Sequence, residues 1–256
     1  MPTAFVTGAT AGIGAAFARR LASDGFDLVL LARDTERLEG TAADLRDAYA
    51  VRTETLTADL STEKGLAAAE ERVRGDDIDL LINNAGFGNG GKFLDVPVSD
   101  ELAMLKVHCE AVLRLTHAVL PGMLDRGRGG VVNVSSVSAF ATRGTYGASK
   151  AWVVAFSEGV AADIRARSRG RVRVMALCPG FVHTEFHDRA GMDVSDVPGF
   201  MWLDKDDVVD AALRDLRRGV LVSVPSPQYK AIVGAARFVP RGLLARISSS
   251  TGRTYR

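Results

Sequence analysis

Short, continuously apolar runs alternate along this chain with longer stretches whose apolar residues recur at helical spacing. Ala4 to Thr7, Leu28 to Leu31, Glu54 to Ala58, Leu80 to Ile82, Val131 to Val134, Val172 to Cys178 and Val220 to Val224 read as strands. Ile13 to Ser23, Glu36 to Ala50, Asp100 to Leu124, Tyr146 to Arg167 and Asp204 to Arg218 read as helices. Asp34 or Thr35 caps the second helix, and Glu36 and Glu39 lie near the positive end of its dipole. Acids likewise open the helix at Asp204. Strands that are apolar throughout belong in a parallel sheet covered on both faces. Right-handed crossovers then predict an α/β, doubly wound sheet that binds ligands at the carboxyl ends of its strands.

Composition narrows the class. The 256 residues suit one α/β domain spanning 1–256, and 47% hydrophobic with 25% charged residues describes a globular chain. A net charge of +1 supplies no global field for nucleic acid. Cys109 and Cys178 cannot build a disulfide framework; both read as buried thiols of a reducing cytoplasm, and no metal site is expected. No apolar run approaches the roughly 18 residues of a membrane span, and the N-terminus shows no secretory pattern. A soluble, cytoplasmic, single-domain protein is expected.

The first strand and first helix are joined by Thr7-Gly8-Ala9-Thr10-Ala11-Gly12-Ile13-Gly14. Gly8 can make the turn, Gly12 can admit a pyrophosphate, and Gly14 lets the helix pack on the strand. The helix N-terminus would meet the anion with unpaired N–H groups. The second strand ends at Ala32-Arg33-Asp34, where an acid would read a free ribose 2′-hydroxyl and an arginine a 2′-phosphate. Arg33 therefore favours NADP(H) over NAD(H), although Asp34 could neutralise it or reach the ribose. Asp59-Leu60 follows the third strand and Asn83-Asn84-Ala85-Gly86 the fourth.

Tyr146 and Lys150 stand four apart at the start of a helix, which sets phenol and ammonium on one face, where the cation would favour phenolate. Asn133-Val134-Ser135-Ser136 ends the fifth strand. The glycine turn, Asp59, Asn83 to Gly86, Ser136, Tyr146-x-x-x-Lys150 and Pro179-Gly180, in this order, resemble the short-chain dehydrogenase/reductase family over residues 4 to about 225. The resemblance implies a Rossmann-type domain with seven parallel strands and bound NADP or NAD. Tyr146 would be the general acid of carbonyl reduction and the base of alcohol oxidation. Lys150 would hold the nicotinamide ribose and depress the tyrosine pKa, and Ser136 would hydrogen-bond the reacting oxygen. Asp59 would contact the adenine, Asn83 the adenosine side and Thr184 the carboxamide, and Gly8, Thr10, Gly12, Ile13, Gly14, Leu60, Ala85, Gly86, Pro179, Gly180 and Val182 would belong to the cofactor site. A homodimer or homotetramer through the helices around 100–124 and 146–167 is a family expectation.

Two departures stand out. Ser136 precedes Tyr146 by ten residues, closer than in many members, which predicts a shortened loop across Ala139 to Thr145 and keeps Ser138 as a second candidate. His108 occupies the place of the family's tetrad asparagine, where it would either support a kink in the long helix or relay protons near its reference pKa of about 6.5. From 184 to 203 periodicity is lost, and Phe186, Met192, Val194, Val197, Phe200, Met201 and Trp202 suggest a lid over a lipophilic substrate. Residues 226–256 are basic: Lys230, Arg237, Arg241, Arg246, Arg253 and Arg256 interleave with Ile232, Val233, Ala236, Phe238, Leu243, Leu244 and Ile247. Pro240 and Gly242 interrupt any single helix there, so core packing with a solvated rim is favoured over a membrane-surface or partner-binding tail. The expected activity is NADP(H)-dependent interconversion of a lipophilic carbonyl and its alcohol; the alternative is a non-catalytic dinucleotide sensor on the same fold.

Overall fold

A computed structural model of the chain describes residues 1–141 and 144–236. Arg237, Phe238, Pro240, Arg241, Gly242, Leu243, Leu244, Arg246, Ile247, Arg253 and Arg256 of the basic segment lie outside the described residues, as do Thr142 and Arg143 of the shortened loop.

The elements run β1 (Thr3–Thr7), α1 (Gly12–Ser23), β2 (Asp27–Ala32), α2 (Thr35–Tyr49), β3 (Thr53–Thr57), α3 (Glu63–Val73) and β4 (Ile78–Asn83). Then come α4 (Val98–Leu105), a π-helical segment Lys106–Ala111, α5 (Val112–Arg126), β5 (Gly129–Val134), α6 (Gly144–Ser168) and β6 (Val172–Leu177). The last part holds β7 (Phe181–Val182), α7 (Phe186–Arg189), β8 (Trp202–Leu203), α8 (Lys205–Arg218), β9 (Val222–Ser223) and α9 (Pro227–Ala236). Seven parallel strands form one sheet in the order β3-β2-β1-β4-β5-β6-β9. The order reverses between β1 and β4, and a crevice opens there at the strands' carboxyl ends.

Burial follows from the residues. Every position of β1 and β2 is buried, and alternate side chains feed two cores: Ala4 and Val6 pack with Phe17, Leu21 and Leu213, while Phe5 packs with Leu66, Leu115 and Met123. Strand β3, Thr-Glu-Thr-Leu-Thr, sits at the edge and is partly exposed throughout. Asp34 caps α2 by accepting the Arg37 N–H at 3.0 Å, and Asp204 caps α8 from Asp206 N–H at 2.7 Å.

The long amphipathic stretch is two helices joined through the π-helical turn that contains His108. Helix α3 has no counterpart among the sequence expectations, although Thr62 caps it through the Gly65 N–H (3.1 Å) and Leu66, Ala69 and Val73 share its buried face. The small sheet of β7 and β8 and helix α9 also have no counterpart there. Cys178 is buried, which pushes its thiol up to about 12, whereas Cys109 is only half-buried; both are free. Among the described residues no cluster of metal-ligating side chains exists, and no helix is long and apolar enough to cross a membrane.

Candidate active site

At the crevice, Gly8 and Ala9 turn the chain by donating their N–H groups to the Leu31 carbonyl at 2.8 and 3.2 Å. Gly8 (φ +67°) and Gly12 (φ +53°) occupy left-handed backbone that disfavours any side chain. At Gly14 the restriction is steric, since a Cβ would stand 2.1 Å from the Gly8 carbonyl oxygen. No side chain caps α1 and no acid lies in its first turn, so its leading N–H groups and dipole face the cavity unneutralised. That arrangement fits a pyrophosphate. Thr7 ties β1 to β4: its hydroxyl accepts the N–H groups of Asn84 and Ala85, each at 2.9 Å.

The turn opens into a cavity of about 630 Å³. Gly8, Thr10, Gly12, Ile13 and Arg33 line one end, and Asp59, Leu60, Ala85 and Gly86 the adjoining wall. Ser136, Ser138, Tyr146 and Lys150 line the far side with Pro179, Gly180, Val182 and Thr184. Three of the expected site residues do not line it. Gly14 lies beneath the turn. Asn83 faces inward, where its amide donates to Asn133 Oδ1 (2.8 Å) and Thr116 Oγ1 (3.1 Å); Asn84 lines the cavity in its place and donates to the Thr7 carbonyl at 2.9 Å. His108 is the third.

Beside the glycine turn, Asp34 is occupied as the cap of α2 and Arg33 forms no salt bridge among the described residues. Burial raises the Asp59 carboxyl, but the Ser61 N–H and hydroxyl and the Arg33 charge outweigh it and hold the group below its usual value. Arg37 grips Glu185 with two hydrogen bonds (2.6 and 3.1 Å), joining α2 to the segment after Thr184.

At the opposite end, Lys150 is buried and donates to the Val134 carbonyl at 3.0 Å. Burial lowers its pKa to about 8. Its Nζ lies 5.8 Å from the centre of the Tyr146 ring. Ser136 Oγ accepts the Ser138 N–H (3.1 Å), which leaves its own proton for another acceptor. His108 lies behind Tyr146 with ring centres 5.6 Å apart; its Nε2 faces the Phe87 N–H (3.3 Å) and its Nδ1 the Ser149 hydroxyl (2.9 Å). Burial and then the Lys150 charge hold this imidazole's pKa well below its ordinary value.

Beyond Tyr146 the walls are apolar, with Phe87, Val137, Phe181, Phe186 and Met192, beside His187 and the Glu185-bound Arg189. Of the aromatics expected in the lid, Phe186 lines the cavity, Trp202 stacks on His183 (4.6 Å), and Phe200 is exposed. Phe87 and His187 had no signal in the sequence beyond their neighbourhood to the recognised motifs, whereas Asn84 lay within the Asn83 to Gly86 motif without being singled out.

A family model described as short chain dehydrogenase matches residues 2–194. The chain belongs to this family. Among short-chain dehydrogenases, the serine 3-dehydrogenase of Agrobacterium fabrum is 37% identical over 188 residues, 72% of this chain and 73% of that one. A short-chain dehydrogenase from Sphingobium yanoikuyae, solved in complex with NADPH, has TM-score 0.84 and 38% identity and covers 93% of this chain and 94% of its own. The bulky-bulky ketone specific alcohol dehydrogenase of Comamonas testosteroni has TM-score 0.80 and 32% identity over 96% and 94%. This short-chain dehydrogenase is thus an NAD(P)(H) oxidoreductase of carbonyl and alcohol groups.

Proposed function

We propose that this short-chain dehydrogenase prefers NADP(H) and interconverts lipophilic ketones, bulky on both sides of the carbonyl, with their secondary alcohols. The observation that carries the reading is one continuous cavity with an uncapped glycine turn and Arg33 at one end and Ser136, Tyr146 and Lys150 at the other. The apolar wall of Phe87, Val137, Phe181, Phe186 and Met192 supports a lipophilic substrate. The resemblance to an NADPH-bound neighbour and to a bulky-ketone enzyme agrees with it.

Carbonyl reduction adds a hydride to carbon and a proton to oxygen. The nicotinamide dinucleotide, when bound, supplies the hydride and recovers it in the reverse direction. The proton is this chain's part: the Tyr146 hydroxyl gives it to the substrate oxygen, and the phenolate takes it back from an alcohol. Lys150, one turn along α6, favours that phenolate by its charge and offers N–H donors to the nicotinamide ribose. Ser136 donates its free proton to the same oxygen as negative charge develops there. Arg33 would pair with a 2′-phosphate, and the α1 N-terminus with the pyrophosphate. Self-association belongs to the same reading, since α6 carries the stacked Trp152 and Phe156 (4.8 Å) on a partly exposed face.

The test follows NADPH absorbance, as consumption with benzil, acetophenone and a 3-oxoacyl thioester and as formation from NADP+ with serine. Consumption with the aryl ketones and no NADPH formation with serine is the expected result. Binding of NADPH without turnover of any carbonyl would instead favour a dinucleotide sensor.

A further inference from the structure

His108 joins two parts of the site: the strand-end turn that carries Phe87 and the first turn of α6 that carries Tyr146. The geometry points to His108 as a positioning residue, a neutral imidazole brace between the Phe87 N–H and the Ser149 hydroxyl, rather than a proton relay.

The direction of the hydrogen bonds decides the tautomer. The Phe87 backbone N–H can only donate, so the Nε2 it faces at 3.3 Å must carry a lone pair. A neutral imidazole has one ring proton, which then resides on Nδ1 and is donated to Ser149 Oγ at 2.9 Å. The Ser149 hydroxyl passes its own proton to the Tyr146 carbonyl at 2.8 Å. The chain therefore runs Phe87 N–H, His108, Ser149, Tyr146 C=O, with every donor and acceptor used once. Both of its ends are backbone amide groups, which neither release nor take up protons near neutral pH. A relay needs a terminus that does.

Protonation would also undo the contact. An imidazolium would turn Nε2–H against the Phe87 N–H, in a buried site whose facing ionisable groups are Lys150 and Tyr146 on α6. His108 does not line the cavity, so neither nitrogen reaches substrate. The seat is shaped for the ring. The π-helical turn carries His108, and Gly86 makes room for it, since a Cβ there would stand 2.9 Å from Nε2. By pinning Phe87 on the apolar wall and the Tyr146 backbone together, the brace sets the gap into which a carbonyl must fit.

This inference rests on the acid–base reading of Tyr146, but its first test does not. Long-range nitrogen–proton NMR of the unliganded full chain labelled at its four histidines, with His108 assigned by loss of its signal in His108→Gln, should show a protonated Nδ1 and bare Nε2 from about pH 6 to about 8.5. An Nε2–H tautomer or an imidazolium in that range overturns the brace. The second test measures kcat, KM and the pH profile with NADPH and benzil. His108→Leu should lower kcat by about ten- to a hundredfold while the NADPH dissociation constant stays within about twofold. Gln presents an acceptor and a donor but cannot titrate, so His108→Gln should recover most of the loss without changing the shape of the pH profile. Ser149→Ala should mimic Leu if that variant does not fold. A Gln variant as slow as Leu, or one that loses a limb of the profile, would establish the relay. If the wild type leaves benzil untouched, the substrate reading fails and the NMR result alone decides the brace.

Discussion

Gly180 lies against the ring of Tyr229 so closely that a Cβ on the glycine would stand 2.0 Å from the ring carbons Cε2 and Cζ. The Tyr229 hydroxyl, on α9, accepts the Phe181 N–H at 3.0 Å and donates to the Met201 carbonyl at 2.9 Å. Residues 181 and 201 are the two roots of the segment that carries Phe186, His187 and Met192 into the cavity. One phenol thus closes the base of that segment.

Tyr229→Phe keeps the ring against Gly180 and removes both hydrogen bonds. Leaving a buried N–H unsatisfied costs about 1–3 kcal/mol. The expected result is a melting temperature lower by roughly 2–8 °C and a higher KM for the carbonyl, with NADPH affinity unchanged. A variant with wild-type KM and stability would mean that the strand pair β7–β8 holds the segment without the phenol.

Tyr146→Phe should reduce turnover by at least about a hundredfold, the lower range for a lost acid–base group, and leave dinucleotide binding nearly intact. Stopped-flow turnover beside fluorescence titration of NADPH separates the two quantities. Activity within a few fold of wild type would remove Tyr146 from proton transfer.

Lys150 makes a stability prediction that carries a sign. Its pKa is about 8 in the folded chain, against 10.5 for an ordinary lysine. Between these values the unfolded chain holds a proton that the folded one has released, so folding stability rises with pH across that window. Below about 8 both states are protonated and the buried charge exerts its full penalty. Lys150→Met removes that penalty along with the hydrogen bond to Val134, whose loss does not depend on pH. The melting-temperature difference between Lys150→Met and wild type should therefore favour the variant most near pH 7 and shift towards wild type near pH 9.5. A difference that stays constant between those two pH values would show that the Lys150 charge is not penalised by burial. Activity should be lost in either case.

What could be read from residues alone has a physical boundary. Gly8, Gly12 and Gly14 were legible because each answers a local demand, two for positive φ and one for missing volume. The inner strands β1 and β2 were legible because burial on both faces leaves continuous apolar runs, which the partly exposed edge strand β3 lacks. Asn83 and Asn84 could not be told apart, since only the pairing of Asn83 with Asn133 decides which amide turns towards the crevice. The π-helical turn at His108 has no sequence period distinct from the α-helix around it. Tyr229 was invisible as a partner of Gly180, being separated from it along the chain and brought back only by the packing of α9. Helix α3 was missed despite a cap and a buried face, because its run of alanines carries little apolar contrast.

Cofactor choice gives the last prediction. Ala32 ends β2 without the acid that would repel a 2′-phosphate, and Arg33 lies on the cavity wall with its guanidinium in no salt bridge among the described residues. Of the surrounding carboxylates, Asp34 caps α2, Glu185 is held by Arg37 and Arg189, and Asp59, which feels the Arg33 charge, is hydrogen-bonded by Ser61. Hydrogen bonds to charged groups contribute about 1.5–3 kcal/mol, and each 1.4 kcal/mol is about tenfold in affinity. A preference for NADP(H) over NAD(H) of about 10- to 100-fold is expected on that basis. Arg33→Ala should erase most of it while NAD(H) affinity stays nearly unchanged. Asp34→Ala should weaken α2 without raising the preference, since its carboxylate serves the Arg37 N–H rather than Arg33. Dissociation constants for both cofactors, measured by titration on the three proteins, decide the matter. Equal wild-type affinities, or a preference that survives Arg33→Ala, would leave Arg33 as a solvated side chain and move 2′-phosphate recognition elsewhere.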